Sequence, residues 1–518
     1  MKPSEKRDKQ PKSKINSGLK LLAGALVVTT SLTACGGGGA SVNKQPAGDK
    51  ESQTPMTINI ALAQVGDIPN KNSEVEQLIE KYTNTKLNIQ WIPNAAYDDK
   101  VNVMIASNEM PQLLKIQYTP STISFMQSGL FWEVGPYLKD YKNLSAQSEQ
   151  FFDNIRVDGK MYGVPIFSEI ARAAIVYRKD WLDGLGLKLP KTTDDWYQVI
   201  KAMTLNDPDK NGKNDTYGMV LFKKYNEGQA SLLTRFAVGL GGPNKWSLLN
   251  GSFEPEFISK EYNDVLKLFK RLYEEKLINQ DFAVFDATEA DKLFDSGRAG
   301  IKIAVAQTAK SQQDRLSKAD PKGIVDVEPL DGPKGIRVAG QTGNSGIYVI
   351  PKSTVKTEAE VRKLLTFLDN VMNPEATTVL QRGIEGKHYV KTADNQAEFT
   401  DLTAYQREVK PFRDNLPYIE GYNSLPLKDI PIGEKGIAVA KENTKYSIAN
   451  PALTLNSETY TERGKELEQM IWDAQTKYIM GKLDDTGWQA EIEKWKKAGG
   501  SKIIEEYKAD YEKTNKKK

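Results

Sequence analysis

The chain has one cysteine and one histidine in 518 residues. That scarcity excludes several chemistries at once. Zinc centres built from several His and Cys ligands cannot be assembled. With Cys35 set aside, no thiol remains for a disulfide, so the fold does not depend on redox state. A Ser-His-Asp triad would have only His388, and no G-x-S-x-G elbow accompanies it. Walker A loops and Rossmann glycine fingerprints do not occur either. Beyond the N-terminal segment, no apolar run approaches the ~20 residues that span a bilayer. The formal net charge is only +3, and its basic surplus sits in residues 1–34. Without that segment the chain is slightly acidic, so it lacks the basic field of a nucleic-acid binder. Lys516, Lys517 and Lys518 read as a solvated tail.

What is present begins at the N-terminus. Lys12, Lys14 and Lys20 precede an apolar run from Leu21 to Val28, which ends at Leu32, Thr33, Ala34 and Cys35. A charged stretch before a short apolar one is a signal peptide. L-T-A-C resembles the lipobox of bacterial lipoproteins. That resemblance implies removal of residues 1–34 and lipid (palmitate-type) modification of Cys35. Gly36 to Gly39 open a flexible tether over 35–55; no strand precedes them as a phosphate loop would need.

The remaining chain is too long for one core, so two or three domains are expected. Met56, Ile58, Ile60 and Leu62 alternate as a strand does. Val75, Leu78, Ile79 and Tyr82 follow at helical spacing. Leu87, Ile89 and Trp91 alternate again. Tyr97, Val101, Met104 and Ile105 form a second helical stripe, and Leu113 to Ile116 a third short apolar run. This β-α-β-α-β order predicts a parallel sheet covered by helices. Ligands of such sheets sit at the carboxyl ends of the strands. A second α/β unit starts near Ala173. It has strands at 173–177 and 299–305, Thr193 as a helix cap, and an amphipathic helix through Tyr262, Val265, Phe269 and Leu272; a further strand is read at 347–350. Thr357 and Glu360 form a capping box. From Glu458 onward the chain reads as helical, with Gly481 as a stop.

Local chemistry is strongest between Asp207 and Asp215. Asp207, Asp209, Asn211, Lys213 (through its carbonyl) and Asp215 occupy positions 1, 3, 5, 7 and 9 of an EF-hand-like loop. Gly212 stands at the turn position. A structural Ca2+ is predicted there. The bidentate Glu of position 12 is absent, since that position is Gly218, and Thr216 stands where an acidic ligand would otherwise close the site.

Four segments together resemble the extracellular solute-binding lipoproteins of bacterial ABC importers, in particular the large oligosaccharide-binding type of Gram-positive bacteria. They are Arg178 to Thr192, Asp207 to Asp215, Arg382 to Tyr389 (R-G-I-E-G-K-H-Y), and the C-terminal run through Trp488, Gly499, Gly500 and Tyr507. The resemblance implies an α/β, type II periplasmic-binding-protein fold, with two lobes around a ligand cleft joined by hinges. Lobe 1 would hold 56–170 and 332–385; lobe 2 would hold 171–331 and 386–518. Hinges are expected near Glu169 to Arg172, Leu330 to Asp331 and Gly383 to Gly386. Implied partners are an oligosaccharide and an ABC permease. The protein would be a non-enzymatic monomer on the outer face of the cell membrane, held by its lipid alone and without nucleic acid.

Sugars offer flat C–H faces to aromatic rings and hydroxyls to amides and carboxylates. Strand ends and loops give the candidates: Gln64 and Asp67, Gln117 and Tyr118, Phe167 and Glu169, Trp246, and Asn344 before the late strand. Tyr118 and Trp246 are expected on opposite walls. Trp91, Trp196 and Trp472 lie on apolar stripes and read as core. Glu385 and His388 join the candidates, though packing of a hinge-side loop is the preferred reading over an acid/base pair. A surface polysaccharide hydrolase or lyase remains the competing class, and a peptide ligand the competing cargo. Hydrolases need two carboxylates across a bond, and no recognisable motif supplies them.

Overall fold

A computed structural model describes residues 55–64 and 68–515. The signal segment, Cys35, the tether up to residue 54 and Asp67 lie outside the described residues.

Strand β1 (Met56–Gln64) turns Ile58, Ile60 and Leu62 into one core and Ala61 and Ala63 into another, as its period of two requires. Ser73 caps the helix Glu74–Thr83, which returns the chain to β2 (Thr85–Pro93). The helix Tyr97–Ser107 leads to β3 (Leu113–Ile116). Both β2 and β3 run parallel to β1. β4 (Gly163–Phe167) and a late strand, Asn344–Val349, complete a five-stranded sheet in the order β2-β1-β3-late strand-β4. The late strand is antiparallel to both its neighbours, a departure from the all-parallel reading.

A second sheet holds β5 (Ala173–Arg178), β6 (Tyr217–Met219), β9 (Ala299–Val305) and β10 (Val325–Glu328), ordered β10-β5-β9-β6. Between them, β7 (Trp246–Leu249) and β8 (Ser252–Pro255) form a hairpin. β5 again divides its faces: Ile175 and Tyr177 enter one core, Ala174 and Val176 the other. The helix Thr193–Leu205 is capped by Thr192, one residue earlier than predicted. Its hydroxyl accepts from the Asp195 N–H while the Asp195 carboxylate takes the Thr192 N–H. Helices Lys260–Glu274 and Glu358–Asn370 begin at their Ser259 and Thr357 caps. Three C-terminal helices, Glu458–Ile479, Asp485–Trp495 and Ser501–Asn515, pack on the second sheet's core through Leu467, Ile471, Trp488 and Ile503.

The chain passes from the first sheet to the second after Phe167 and returns between Glu328 and Asn344. A third passage comes later than the resemblance implied. Tyr405, Val409, Phe412 and Leu416 are buried in the first sheet's core, so the stretch after 385 packs there and not with the second sheet. Lys428 still donates its N–H to the Ala397 carbonyl, and the next residue, Asp429, pairs with Lys310. Ala440, on the following helix, is buried beside the second sheet. The passage therefore lies at 428–429. The Gly383–Gly386 turn is local to the first half.

Candidate functional site

The carboxyl end of β3 delivers Tyr118 and Thr119 to a cavity of about 340 Å³. Thr119 caps the helix Pro120–Gln127 through a reciprocal box with Thr122. The Tyr118 hydroxyl donates to the Arg156 carbonyl at 2.9 Å, which fixes its ring on the first-sheet wall. Burial pushes this phenol well above its ordinary pKa, so it stays protonated. The opposite wall carries Trp246, Tyr460, Trp472 and Tyr507. Trp246 meets Tyr507 edge-on at 5.1 Å. Tyr460 donates to Glu468 at 2.9 Å, and a methyl placed at Gly464 would come within 2.7 Å of its ring. The missing side chain at Gly464 thus lets the ring lie along the helix.

Amides line the cavity beside these rings. Asn226 donates to Gln475 Oε1 at 2.7 Å and to the Trp472 carbonyl at 3.1 Å, and Gln475 donates to the Tyr262 hydroxyl at 3.0 Å. Lys245 and Glu256 pair at 3.2 Å. Aromatic faces next to fixed amides and a carboxylate provide stacking and hydroxyl recognition together.

The structure brings Tyr118 and Trp246 to the same cavity. Other candidates lie elsewhere. Phe167 is core: it meets Phe151 and Phe152 edge-on at 5.1 and 6.1 Å. Gln64 ends β1 half-buried, and Gln117 is half-buried with its carbonyl accepting from Thr122. Asn344 spends its side chain on a local turn, donating to the Thr342 carbonyl and accepting from the Gly346 N–H; it is Thr342 that reaches the cavity. Glu169 accepts from Gln307 at 3.3 Å and stands 4.0 Å from Arg172, at the first passage between sheets. Trp196 is core against Phe236, and Trp91 packs on Phe412. Trp472, read as core, lines the cavity instead. It sits one residue off the buried Leu467–Ile471 face, on a stripe of Tyr460, Gly464, Glu468 and Trp472 spaced by four. That spacing was the available signal for the residues missed on this helix.

Glu385 and His388 form no part of the cavity. Glu385 pairs with Lys391 at 3.5 Å. His388 is fully buried, its Nδ1 accepts the Ile384 N–H at 2.9 Å, and its Nε2 stands 3.5 Å from Glu408. Burial lowers its pKa, opposed by the Glu408 charge. These residues pack a loop.

The Asp207–Asp215 loop curls on itself. Asp207 accepts from the Asn211 and Gly212 N–H groups, and the Asn211 amide donates to Asp209 at 2.7 Å and to Asp215 at 3.1 Å. Two carboxylates therefore share the Asn211 amide while a third takes backbone N–H groups of the same turn, oxygen donors of the kind a hard cation takes. Among the described residues, however, no group of three or more His, Cys, Asp or Glu side chains stands ready to hold a metal ion. The structure explains the missing position-12 ligand. A Cβ at Gly218 would stand 2.4 Å from the Ile200 carbonyl oxygen, so no Glu fits there. Thr216 is buried and donates to the Met203 carbonyl.

Residues 66–376 match the family model described as bacterial extracellular solute-binding protein. The lipoprotein LipO of Bacillus subtilis is 37% identical over 455 residues, covering 86% of this chain and 90% of that one. The polygalacturonan/rhamnogalacturonan-binding protein YtcQ of the same organism is 35% identical over 444 residues, covering 85% and 88%. Among solved structures, an EF-hand mutant of the ABC-transporter substrate-binding protein FusA of S. pneumoniae, in complex with fructo-nystose, superposes with a TM-score of 0.60. It is 18% identical and covers 89% of this chain and 100% of that one, a likeness of fold. The chain belongs to the bacterial extracellular solute-binding protein family.

Proposed function

We propose that this extracellular solute-binding protein captures an oligosaccharide between its two sheet-centred halves and delivers it to an ABC permease. The observation that carries the reading is the cavity with Tyr118 on one wall and Trp246, Tyr460 and Trp472 on the other, interleaved with the Asn226–Gln475 amides. A ligand touching both walls favours the closed arrangement over an open one. The hinges are the passages at 168–172, 329–343 and 428–429. Two relatives' names speak for saccharides, one acidic and one neutral, so the sugar class stays open on that ground.

The working protein is read as a monomer held at the outer face of the membrane by a lipid on Cys35. The support is the L-T-A-C sequence, together with the name lipoprotein borne by a relative. A Cys35→Ser protein should be released or left unprocessed; recovery at the mature size in the membrane fraction would refute the anchor. Ca2+ is read as a structural ion, held by Asp207, Asp209, Asn211, Asp215 and the Lys213 carbonyl. It would neutralise the crowded carboxylates and take no part in ligand chemistry.

A thermal-shift screen over glycans and peptides tests the function. Oligosaccharides should raise the melting temperature by mass action. Hits confined to peptides would overturn the sugar reading, and shortened saccharide products would overturn the receptor reading in favour of an enzyme.

A further inference from the structure

The Arg235 side chain has no hydrogen bond or ion pair to any described residue, and its Nε is buried without a partner. It lies on the helix Leu232–Gly239 and lines a second cavity of about 240 Å³ with Phe222, Val305, Thr308 and Gln312. This is smaller than the pockets that enclose a whole ligand, and fits a single subsite. β6 and β9 run parallel, and the cavity wall includes the residues just past their carboxyl ends, where ligands of such sheets bind.

Arg172 stands beside it. Its carbonyl accepts the Ala306 N–H directly after β9, and its Nε is also buried without a partner. Its side chain is nevertheless 38% exposed, so this guanidinium meets the solvent while its Nε does not. Among the described residues its one ion-pair partner is Glu169, at 4.0 Å and shared with Gln307. Asp291 lines the second cavity but is already paired with Lys302. Burial, helped by the Arg172 charge, pushes the Arg235 guanidinium down to about 10. Two like charges, each with a buried Nε that no partner satisfies, cost stability in the free protein. A planar anion offset between them recovers that cost, and a carboxylate matches the guanidinium fork in two hydrogen bonds.

We propose that Arg235 and Arg172 form a subsite for the carboxylate of an acidic sugar residue, at the carboxyl ends of β6 and β9. The proposal rests on the saccharide reading above and narrows it to oligosaccharides that carry uronic acids.

Calorimetry on the wild-type protein with galacturonate, glucuronate and mannuronate trisaccharides, each as the acid and as its methyl ester, tests it. At least one acid should bind ten-fold or more tighter than its ester. Arg235→Gln and Arg172→Gln should erase that preference while leaving the ester affinity within two-fold. Arg235→Lys keeps the charge without the fork and should keep only part of the preference. Melting temperature without ligand serves as the folding control, and Arg235→Gln should hold or raise it, because an uncompensated charge is removed. Acid and ester binding alike, or a preference that survives in both Gln variants, would overturn the subsite while the saccharide reading stands. Failure of these and of all neutral oligosaccharides to bind would overturn both.

Discussion

The two halves of the molecule settle their buried polar groups differently. In the half built on the first sheet, Asn415 accepts the Ala63 N–H and donates to the Ala63 and Pro411 carbonyls, and Asp369 takes the N–H groups of Asn143 and Leu144. Among its described residues only Ser353 and His388 carry a buried side-chain atom without a partner. The second half holds such atoms on Arg172, Arg178, Trp181, Arg235, Asn244, Asp295, Gln307 and Gln312. Arg178 is structural, since its other nitrogens pair with Asp180 and Asp320. Arg172, Arg235, Gln307 and Gln312 gather past the end of β9. A buried donor or acceptor left unpaired costs stability. The first half is therefore a finished platform, and the second keeps unpaired hydrogen-bonding groups where a ligand would meet them.

The sharpest way to break that contrast is one substitution in each half. Asn415→Ala strips three hydrogen bonds from a buried site and should cost about 3 kcal/mol in denaturant unfolding. Gln312→Leu removes a group whose oxygen is already unpaired, and should be neutral or stabilising without ligand. Equal losses in the two variants would show that the halves do not differ.

A chelator probes the second half by another route. If free Ca2+ stands 100-fold above its dissociation constant, linkage stabilises by ~2.7 kcal/mol. Chelation should therefore lower the melting temperature, and Asp207→Ala with Asp209→Ala should abolish the response. A response that persists in the double variant would move the metal elsewhere.

The aromatic cavity spans both halves, so its two walls can be compared directly. Tyr118→Ala on the platform and Trp246→Ala opposite should each weaken oligosaccharide binding by ~1–3 kcal/mol, as loss of a buried ring does. Normal calorimetric affinity in either variant would remove that ring from the site. With saturating ligand, small-angle scattering should give a smaller radius of gyration. An unchanged radius would refute closure.

Periodicity made most of the fold legible. Period two placed β1 and β2, a buried apolar run placed β9, and caps such as Thr357 fixed helix starts to within a residue. The third passage between sheets was not legible, because Tyr405, Val409, Phe412 and Leu416 carry no mark of which core they enter. The same holds for the site. Strand ends pointed to Tyr118 and a glycine-rich loop to Trp246, both local signals. Arg235 sits on a helix 63 positions from Arg172 in sequence, and only the tertiary fold reveals that each leaves its Nε buried without a partner. Gly218 read as a defect in a calcium loop until its contact with Ile200 was seen.

The smallest expected effect concerns the first half's own exception, His388. It is the chain's only histidine, so it alone among unperturbed side chains titrates between pH 5 and 8. Its folded pKa lies below the ordinary value of about 6.5, chiefly because the ring is buried. Between the two values the unfolded chain binds a proton that the folded chain does not. His388 thus contributes stability above pH ~6.5 that is lost as pH falls through that range. Glu408 acts in the same direction but lower. Hydrogen bonds from Lys387 and Arg407 hold it down at about 2, so its contribution fades only as pH falls from about 4.5. Wild-type stability should therefore already decline between pH 7 and 5, before most carboxylates titrate. His388→Asn keeps an acceptor for the Ile384 N–H but cannot ionise, and its stability should be flat over that window. A decline that persists in His388→Asn would place the titrating group elsewhere. A flat wild-type profile would mean that the imidazole is not held neutral, and that its unpaired Nε2 is not a cost the platform carries.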